Sequence, residues 1–289
     1  MPGSPGMAKA LGGDLGAWKI PLRFIQNFTL PMITSTKNPK IQWVRGLQSR
    51  AQIRREEGAF VVEGVRLVEE ALAAGWEARL LYYTEDLGER GREVVSEYAS
   101  KGIQAEAVAP HVMRAASDVE TPPGILAVLS VREIPLPETL DFVFIPGEVR
   151  DPGNLGAMLR TAAAAGVQAA FLPPGTVDAF APKVVRAAMG AHFRLPVCLL
   201  PWEEIRARLQ KASQRVYLAD AGGGVVYTEA DFRAPLALIV GGEAEGAGEA
   251  AESLAHTRVR IPMPGGAESL SAAAAAAILF FEVVRQRSA

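Results

Sequence analysis

The chain has 289 residues, 49% of them hydrophobic and 21% charged, with a formal net charge of −2. That length suggests two domains, and the composition suits a buried core and excludes a disordered tail. A single cysteine, Cys198, excludes a disulfide framework and a Cys-rich zinc site, and the longest apolar run, Ala272–Phe281, is far shorter than the roughly 20 residues a bilayer core requires. His111, His192 and His256 are too scattered to suggest a metal centre, so none is expected. Glycines and prolines occupy the start where a secretory signal needs an apolar run, so a cytoplasmic protein is expected.

Residues 1–32 are Gly- and Pro-rich without a period and read as a loose leader. Ser35 or Asn38 is placed to cap a helix running through Ile41, Val44, Leu47 and Ile53. Strands are expected at 60–64, 79–83, 104–108 and 125–130, with helices at 67–74 and 91–100, which makes residues 33–130 a small α/β domain. VREIPLPE, residues 131–138, reads as a Pro-punctuated linker. A second domain over 139–289 repeats the alternation: strands at 141–145, 169–172, 195–200, 215–219, 236–240 and 258–261, and helices at 154–165, 181–189, 203–213 and 269–287. Apolar strands between helices imply a mostly parallel sheet covered on both faces.

Charge is distributed unevenly. Residues 1–60 hold nine Lys/Arg against three acids, while residues 61–138 hold seven against fourteen. A basic N-terminal segment is a candidate footprint for a phosphate backbone, although a solvated helix face has the same composition. Three loops in the second domain carry unusual residues. PGEVRDPGNLGAMLR (146–160) offers Asn154 as a helix cap and, six residues on, Arg160 returning near one face of the first two turns; an ordinary cap and surface ion pair reads equally well. GGEAEGAG (241–248) follows an apolar strand with glycines that admit close backbone approach. It lacks both the dinucleotide spacing and the Gly-Lys-Ser/Thr of a phosphate loop, and its glutamates tolerate a cation better than a pyrophosphate. IPMPGGAESLS (261–271) opens the last helix, with Glu268, Ser269 or Ser271 as possible caps.

The order of these stretches is more specific than any one of them. DPGNLGAMLRTAAAAGV, PKVVRAAMGAHFRLPV, LALIVGGEAEG and RIPMPGGAESLSAAAAAAILFFE resemble the SpoU (TrmH-like) branch of the SPOUT RNA methyltransferases. TSTKNPKIQWVRGL and FVVEGVRLVEEAL resemble the small ribosomal-protein-like RNA-binding domain often placed ahead of the catalytic one. The resemblance spans residues 33–289. It implies an α/β fold with a parallel sheet and a C-terminal trefoil knot, a homodimer, S-adenosylmethionine as cofactor, and methylation of a ribose 2′-hydroxyl in RNA, most naturally ribosomal RNA.

By the same resemblance, Ala219, Gly242, Ile261, Met263 and Leu270 are expected at the cofactor. Asn154, Arg160, Glu243 and Ser269 are expected on the substrate side, with no metal. Lys37, Lys40, Arg45, Arg50, Arg54 and Arg55 are the candidate RNA contacts. One position departs: the family usually has Asn two residues after that serine, and here it is Ser271, with fewer hydrogen-bonding groups. The alternatives are a non-catalytic rRNA-binding or protective protein, and methylation of tRNA instead of rRNA.

Overall fold

The computed structural model describes residues 31–242 and 246–288; the expected leader therefore lies outside the described residues, apart from Pro31 and Met32, and so does Glu243. Residues 32–289 form one compact unit. Its first part runs α1 (Pro39–Ser49), α2 (Ala51–Glu57), β1 (Ala59–Glu63), α3 (Val65–Ala73), β2 (Ala78–Tyr83), α4 (Glu89–Ser100), β3 (Ala105–Ala107), α5 (Pro110–Ala116) and β4 (Ile125–Ser130). The sheet order is β1-β4-β2-β3, with β1 and β2 antiparallel to β4 and β3 parallel to β2.

Asn38 caps α1 by accepting from the Lys40 backbone N–H at 2.9 Å, and Pro39 supplies a pre-set first turn. The single helix expected through Ile53 is two helices, because Arg50 is extended (φ −129°, ψ 114°). The break folds α2 back so that Ile53 lies over Gly46, where an added Cβ would be 2.8 Å from Ile53 Cδ1. The seven-residue α5 was not anticipated; at that length no apolar period is visible, and Pro110 is its only start signal.

The second part runs β5 (Phe142–Gly147), α6 (Pro152–Ala164), β6 (Ala169–Leu172), α7 (Pro182–Ala188), β7 (Val197–Leu199), α8 (Trp202–Lys211), β8 (Arg215–Ala219), β9 (Val225–Val226), β10 (Leu236–Gly241), α9 (Glu249–Leu254), β11 (Thr257–Arg260) and α10 (Ala272–Ser288). Its strand order is β7-β6-β5-β10-β8-β11-β9, and every pairing is parallel. Alternate residues of the central strands face opposite cores: Phe144 and Leu238 meet α6, α7 and α10, while Val143 and Ile239 meet α8 and α9. Both faces are thus buried, which is why β5 and β10 read as continuous apolar runs. Gly156 lets α6 and α7 touch backbone to side chain; a Cβ there would sit 2.5 Å from Ala187 Cβ and 2.6 Å from the Val184 carbonyl oxygen.

The two sheets share more than a linker. Residues 131–138 carry no helix or strand, yet Ile134 packs on the first core and Leu136 on the second. α7 packs on β1, Phe60 meets Phe180 at 4.9 Å between ring centroids, and Trp76 meets Phe193 edge-on at 5.3 Å. Arg54–Asp178 (2.7 Å), Arg186–Asp118 (2.9 Å) and Arg194–Glu70 (3.2 Å) cross between the two parts.

His192 sits in that seam, 3% exposed, with Nε2 2.7 Å from the Ala179 carbonyl oxygen. Burial lowers its pKa to about 4, against smaller opposing effects of the Ala179 carbonyl and Asp178. The folded state therefore binds this proton less readily than the unfolded chain. The stability from keeping His192 neutral is complete above about pH 6.5 and is lost as the pH falls towards 4, by about 3 kcal/mol in all. Urea unfolding at pH 7 and pH 5 is expected to show a higher midpoint at pH 7, and His192→Gln is expected to flatten that difference. An unchanged midpoint in the wild type between the two pH values overturns it.

Candidate active site

The carboxyl ends of the parallel strands are where an open α/β sheet presents ligands, and a cavity of about 300 Å³ lies there at the ends of β8, β10 and β11. Its floor is apolar: Leu218, Val240, Val259, Ile261, Leu270 and Ala272. Ala219, Gly242, Ile261, Met263 and Leu270, the five residues expected at a cofactor, all line it, and so does Ser269.

The loop after β10 closes tightly over the end of β5. Gly241 pairs with Gly147 in register, and the Gly242 N–H donates to the carbonyls of Gly147 (3.1 Å) and Gly246 (3.0 Å). A Cβ on Gly241 would lie 2.5 Å from the Gly246 carbonyl carbon and 2.6 Å from the Ala247 nitrogen. At Gly242 the nearest atom would be the Glu148 carbonyl oxygen at 3.1 Å. Gly241 is the more confined of the pair, although the family resemblance points to Gly242.

Asp220 and Glu252 also line the cavity, which the sequence reading did not anticipate. Arg258 holds both, donating to Asp220 at 2.9 Å and Glu252 at 3.1 Å. They follow β8 and sit in the short helix α9, so neither belongs to a recognisable motif. Among the described lining residues there is no lysine or arginine. Such a wall offers a phosphate no lining cation and suits a ligand with an apolar ring and hydrogen-bonding edges; with both acids already paired to Arg258, it admits a positive charge without a free carboxylate to hold it.

The substrate-side residues are not all gathered there. The α6 cap is Asp151, whose carboxylate accepts from the Asn154 N–H at 2.7 Å, so Asn154 is the capped residue and not the cap it was expected to be. Arg160 is exposed and lies outside the cavity lining, and its side chain forms no hydrogen bond or ion pair among the described residues. Six residues at 100° each put Asn154 and Arg160 a third of a turn apart, so α6 alone does not bring them to one face. The last helix is capped by Ser271, whose Oγ accepts from the Ala274 N–H at 3.2 Å. Ser and Asn are comparable caps, so the departure from the usual Asn preserves this role.

The basic segment divides. Lys37, Arg45, Arg50 and Arg55 are exposed, and Lys40 is exposed but ion-paired with Glu106 at 2.6 Å. Arg54 is buried, donating to the carbonyls of Leu47 and Gln48 and pairing with Asp178. Its charge is spent within the fold, so it acts as a structural cation and not as the exposed phosphate contact that was expected.

Comparison with known proteins matches residues 141–281 to the SpoU rRNA methylase family and residues 38–127 to the MRM3-like substrate-binding domain. The chain is 34% identical over 254 residues to the 23S rRNA (guanosine(2553)-2′-O)-methyltransferase RlmP of Bacillus subtilis, covering 88% of this chain and 99% of that one. It belongs to the SpoU rRNA methylase family. It is also 31% identical to the 23S rRNA (uridine(2479)-2′-O)-methyltransferase of Streptomyces viridochromogenes, over 88% of this chain and 92% of that one. The AdoMet-bound rRNA methyltransferase of Sinorhizobium meliloti superposes with a TM-score of 0.78 at 31% identity, over 88% of this chain and 97% of that one. The SpoU cofactor is S-adenosylmethionine, and the cavity fits it: apolar walls for the adenine, and a described lining without lysine or arginine that admits a sulfonium, its Asp220 and Glu252 both held by Arg258. No group of His, Cys, Asp and Glu suited to a metal occurs among the described residues, and none of their helices is long and apolar enough to cross a membrane.

Proposed function

We propose that this SpoU protein methylates a ribose 2′-hydroxyl of ribosomal RNA. The observation that carries the reading is the glycine-closed, cation-free cavity at the ends of β8, β10 and β11. When bound, S-adenosylmethionine supplies an electrophilic methyl group on a sulfonium. The chain binds and orients: the apolar floor and the backbone of 241–242 fix one reactant, and Ser269 lies at the cavity beside them. The incoming hydroxyl must shed its proton, which solvent water takes up. The guanidinium of Arg160 stabilises the developing alkoxide, with a substrate phosphate beside it. Asn154 and Glu243 complete the substrate side of this proposal.

We assign RNA binding to residues 33–130, with 131–138 as connector and 139–289 as the methyltransferase domain. The two family matches support that division, and the exposed Lys37, Arg45, Arg50 and Arg55 support RNA as the ligand. We also carry the knot: β11 lies between β8 and β9 while α10 packs back on α6, an arrangement compatible with a threaded C-terminus. A cytoplasmic location is supported by the single cysteine and an rRNA substrate.

The reading is tested by mapping ribose methylation in total RNA from cells with and without the gene. One 23S or 16S position is expected to lose its methyl group. Loss confined to tRNA selects the tRNA alternative. RNA binding without any methyl incorporation selects the non-catalytic one.

A homodimer is part of the proposal. Phe281, 49% exposed, lies on α10 in line with the half-buried Ala274 and Ile278, a stripe that leaves apolar surface uncovered. Sedimentation at micromolar concentration is expected to give twice the 30.7 kDa chain mass. Phe281→Glu is expected to shift it towards the monomer, and a wild-type monomer sinks the idea.

A further inference from the structure

Three large apolar side chains are exposed among the described residues: Val131 (37%), Leu199 (58%) and Phe281. Phe281 is accounted for by the α10 stripe. Val131 and Leu199 both line a second cavity, of about 560 Å³, between the two parts of the molecule. One wall comes from α2 and the end of β4, and the other from the segments after β6 and β7, including Pro173, Pro174 and Pro201.

This cleft is preformed and aimed. Its walls are held by the Arg54–Asp178 pair, whose side chains are only 7% and 18% exposed. It opens at the carboxyl ends of β6 and β7, the same end of the sheet as the cofactor cavity, with β5 between the two groups of strands. The two cavities lie on opposite sides of one loop. On the cleft side, Thr176 Oγ1 donates to the Pro146 carbonyl (3.1 Å) and the Val177 N–H donates to the Val149 carbonyl (2.9 Å). On the other side, the Gly242 N–H donates to the Gly147 carbonyl. That loop leads directly into α6, which carries Asn154 and Arg160.

The charge of the cleft is equally specific. Arg54 and Asp178 neutralise each other, which leaves Arg55 as the unpaired charge in the lining; its side chain is exposed and forms no hydrogen bond or ion pair among the described residues. A lone cation at the rim of an apolar slot matches a nucleotide: an unstacked base against the prolines and Leu199, with its phosphate at Arg55.

We propose that this cleft is a substrate subsite that takes one unpaired nucleotide of the RNA next to the nucleotide being methylated. The inference rests on the RNA-methylating reading above. Thr176, the one hydroxyl in the lining, spends its proton on Pro146, and the remaining walls are mainly Leu, Val, Pro and Phe with Arg54 and Asp178 paired to each other, so the cleft selects an unstacked base with little reading of which base it is. Target choice then depends on RNA shape, since only a bulge or loop frees a base to enter.

The test uses the full-length protein with unmodified rRNA transcript. Leu199 is exposed, so Leu199→Asp is expected to fold normally while placing a like charge beside the phosphate. Its KM for RNA is expected to rise about tenfold, in line with the loss of one base contact, with kcat and S-adenosylmethionine affinity unchanged. Arg55→Gln is expected to reduce the salt slope of RNA binding by about 0.7, the value for one single-strand phosphate contact. A photoreactive benzophenone side chain at position 199 is expected to cross-link to the transcript within a few nucleotides of the methylated ribose.

Unchanged KM and salt slope, a cross-link far from the methylated ribose, or capture of a protein segment in place of RNA each overturns the proposal. If the wild type methylates no RNA, the functional reading fails by itself; the cross-link and salt slope still decide whether RNA occupies the cleft.

Discussion

Arg160→Ala is expected to lower single-turnover methylation by about 10²–10³, the scale set by deleting one preorganised donor from a developing oxyanion, while leaving S-adenosylmethionine affinity nearly unchanged. The second half of that expectation follows from where the side chain is: exposed on α6 and absent from the cavity lining. Its removal takes nothing from the cofactor's walls. Arg160→Lys is expected to rescue little, because a point charge does not reproduce a planar fork that holds a phosphate and a ribose oxygen together. Near wild-type turnover in Arg160→Ala refutes the assignment. Loss of cofactor affinity in that variant moves Arg160 to a structural role in its helix.

The opposite phenotype is expected at the glycines. A valine at Gly241 puts Cβ 2.5 Å from one backbone atom and 2.6 Å from another, neither of which belongs to a side chain that can swing aside. The strain of such overpacking, about 1–3 kcal/mol, falls on the loop that closes the cavity. Borne wholly by that loop, it lowers cofactor affinity by up to about 100-fold. Gly242→Val meets a single carbonyl oxygen at 3.1 Å and obstructs the cavity it lines, so binding is expected to fall there also, with less damage to the loop. Calorimetric titration with S-adenosylmethionine, paired with thermal melts, separates the two variants. Unaltered affinity in both removes the 241–242 backbone from the cofactor site.

Much of this arrangement is legible from residues in order. The 125–130, 169–172 and 215–219 strands appear where the apolar runs place them, since a strand buried on both faces has little freedom in composition. The five positions expected at a cofactor line one cavity because the motifs that carry them follow β8, β10 and β11, three neighbouring strands. Asp220 and Glu252 were missed for a physical reason: they meet only through Arg258, and a contact between three separate segments leaves no spacing to recognise. Arg54 misled in the same way. Beside Arg55 it looks like one more surface cation, and only the approach of the segment carrying Asp178 turns it inward. The cap of α6 was misplaced by three residues because Asp151 and Asn154 are both good capping types.

The cofactor cavity is walled entirely by residues between Leu218 and Ala275. During synthesis, the first part of the molecule and β5 through β7 have all left the ribosome before any of that wall exists. β11 must then enter between β8 and β9, and α10 must lie back on α6, before the cavity is closed. Pairings across such sequence distances form late, so a growing chain completes the strands of its first part well before it acquires the capacity to hold a methyl donor. On the proposed assignment of RNA binding to residues 33–130, a nascent or C-terminally clipped copy is expected to occupy RNA without modifying it, with competence conferred by the last stretch to fold.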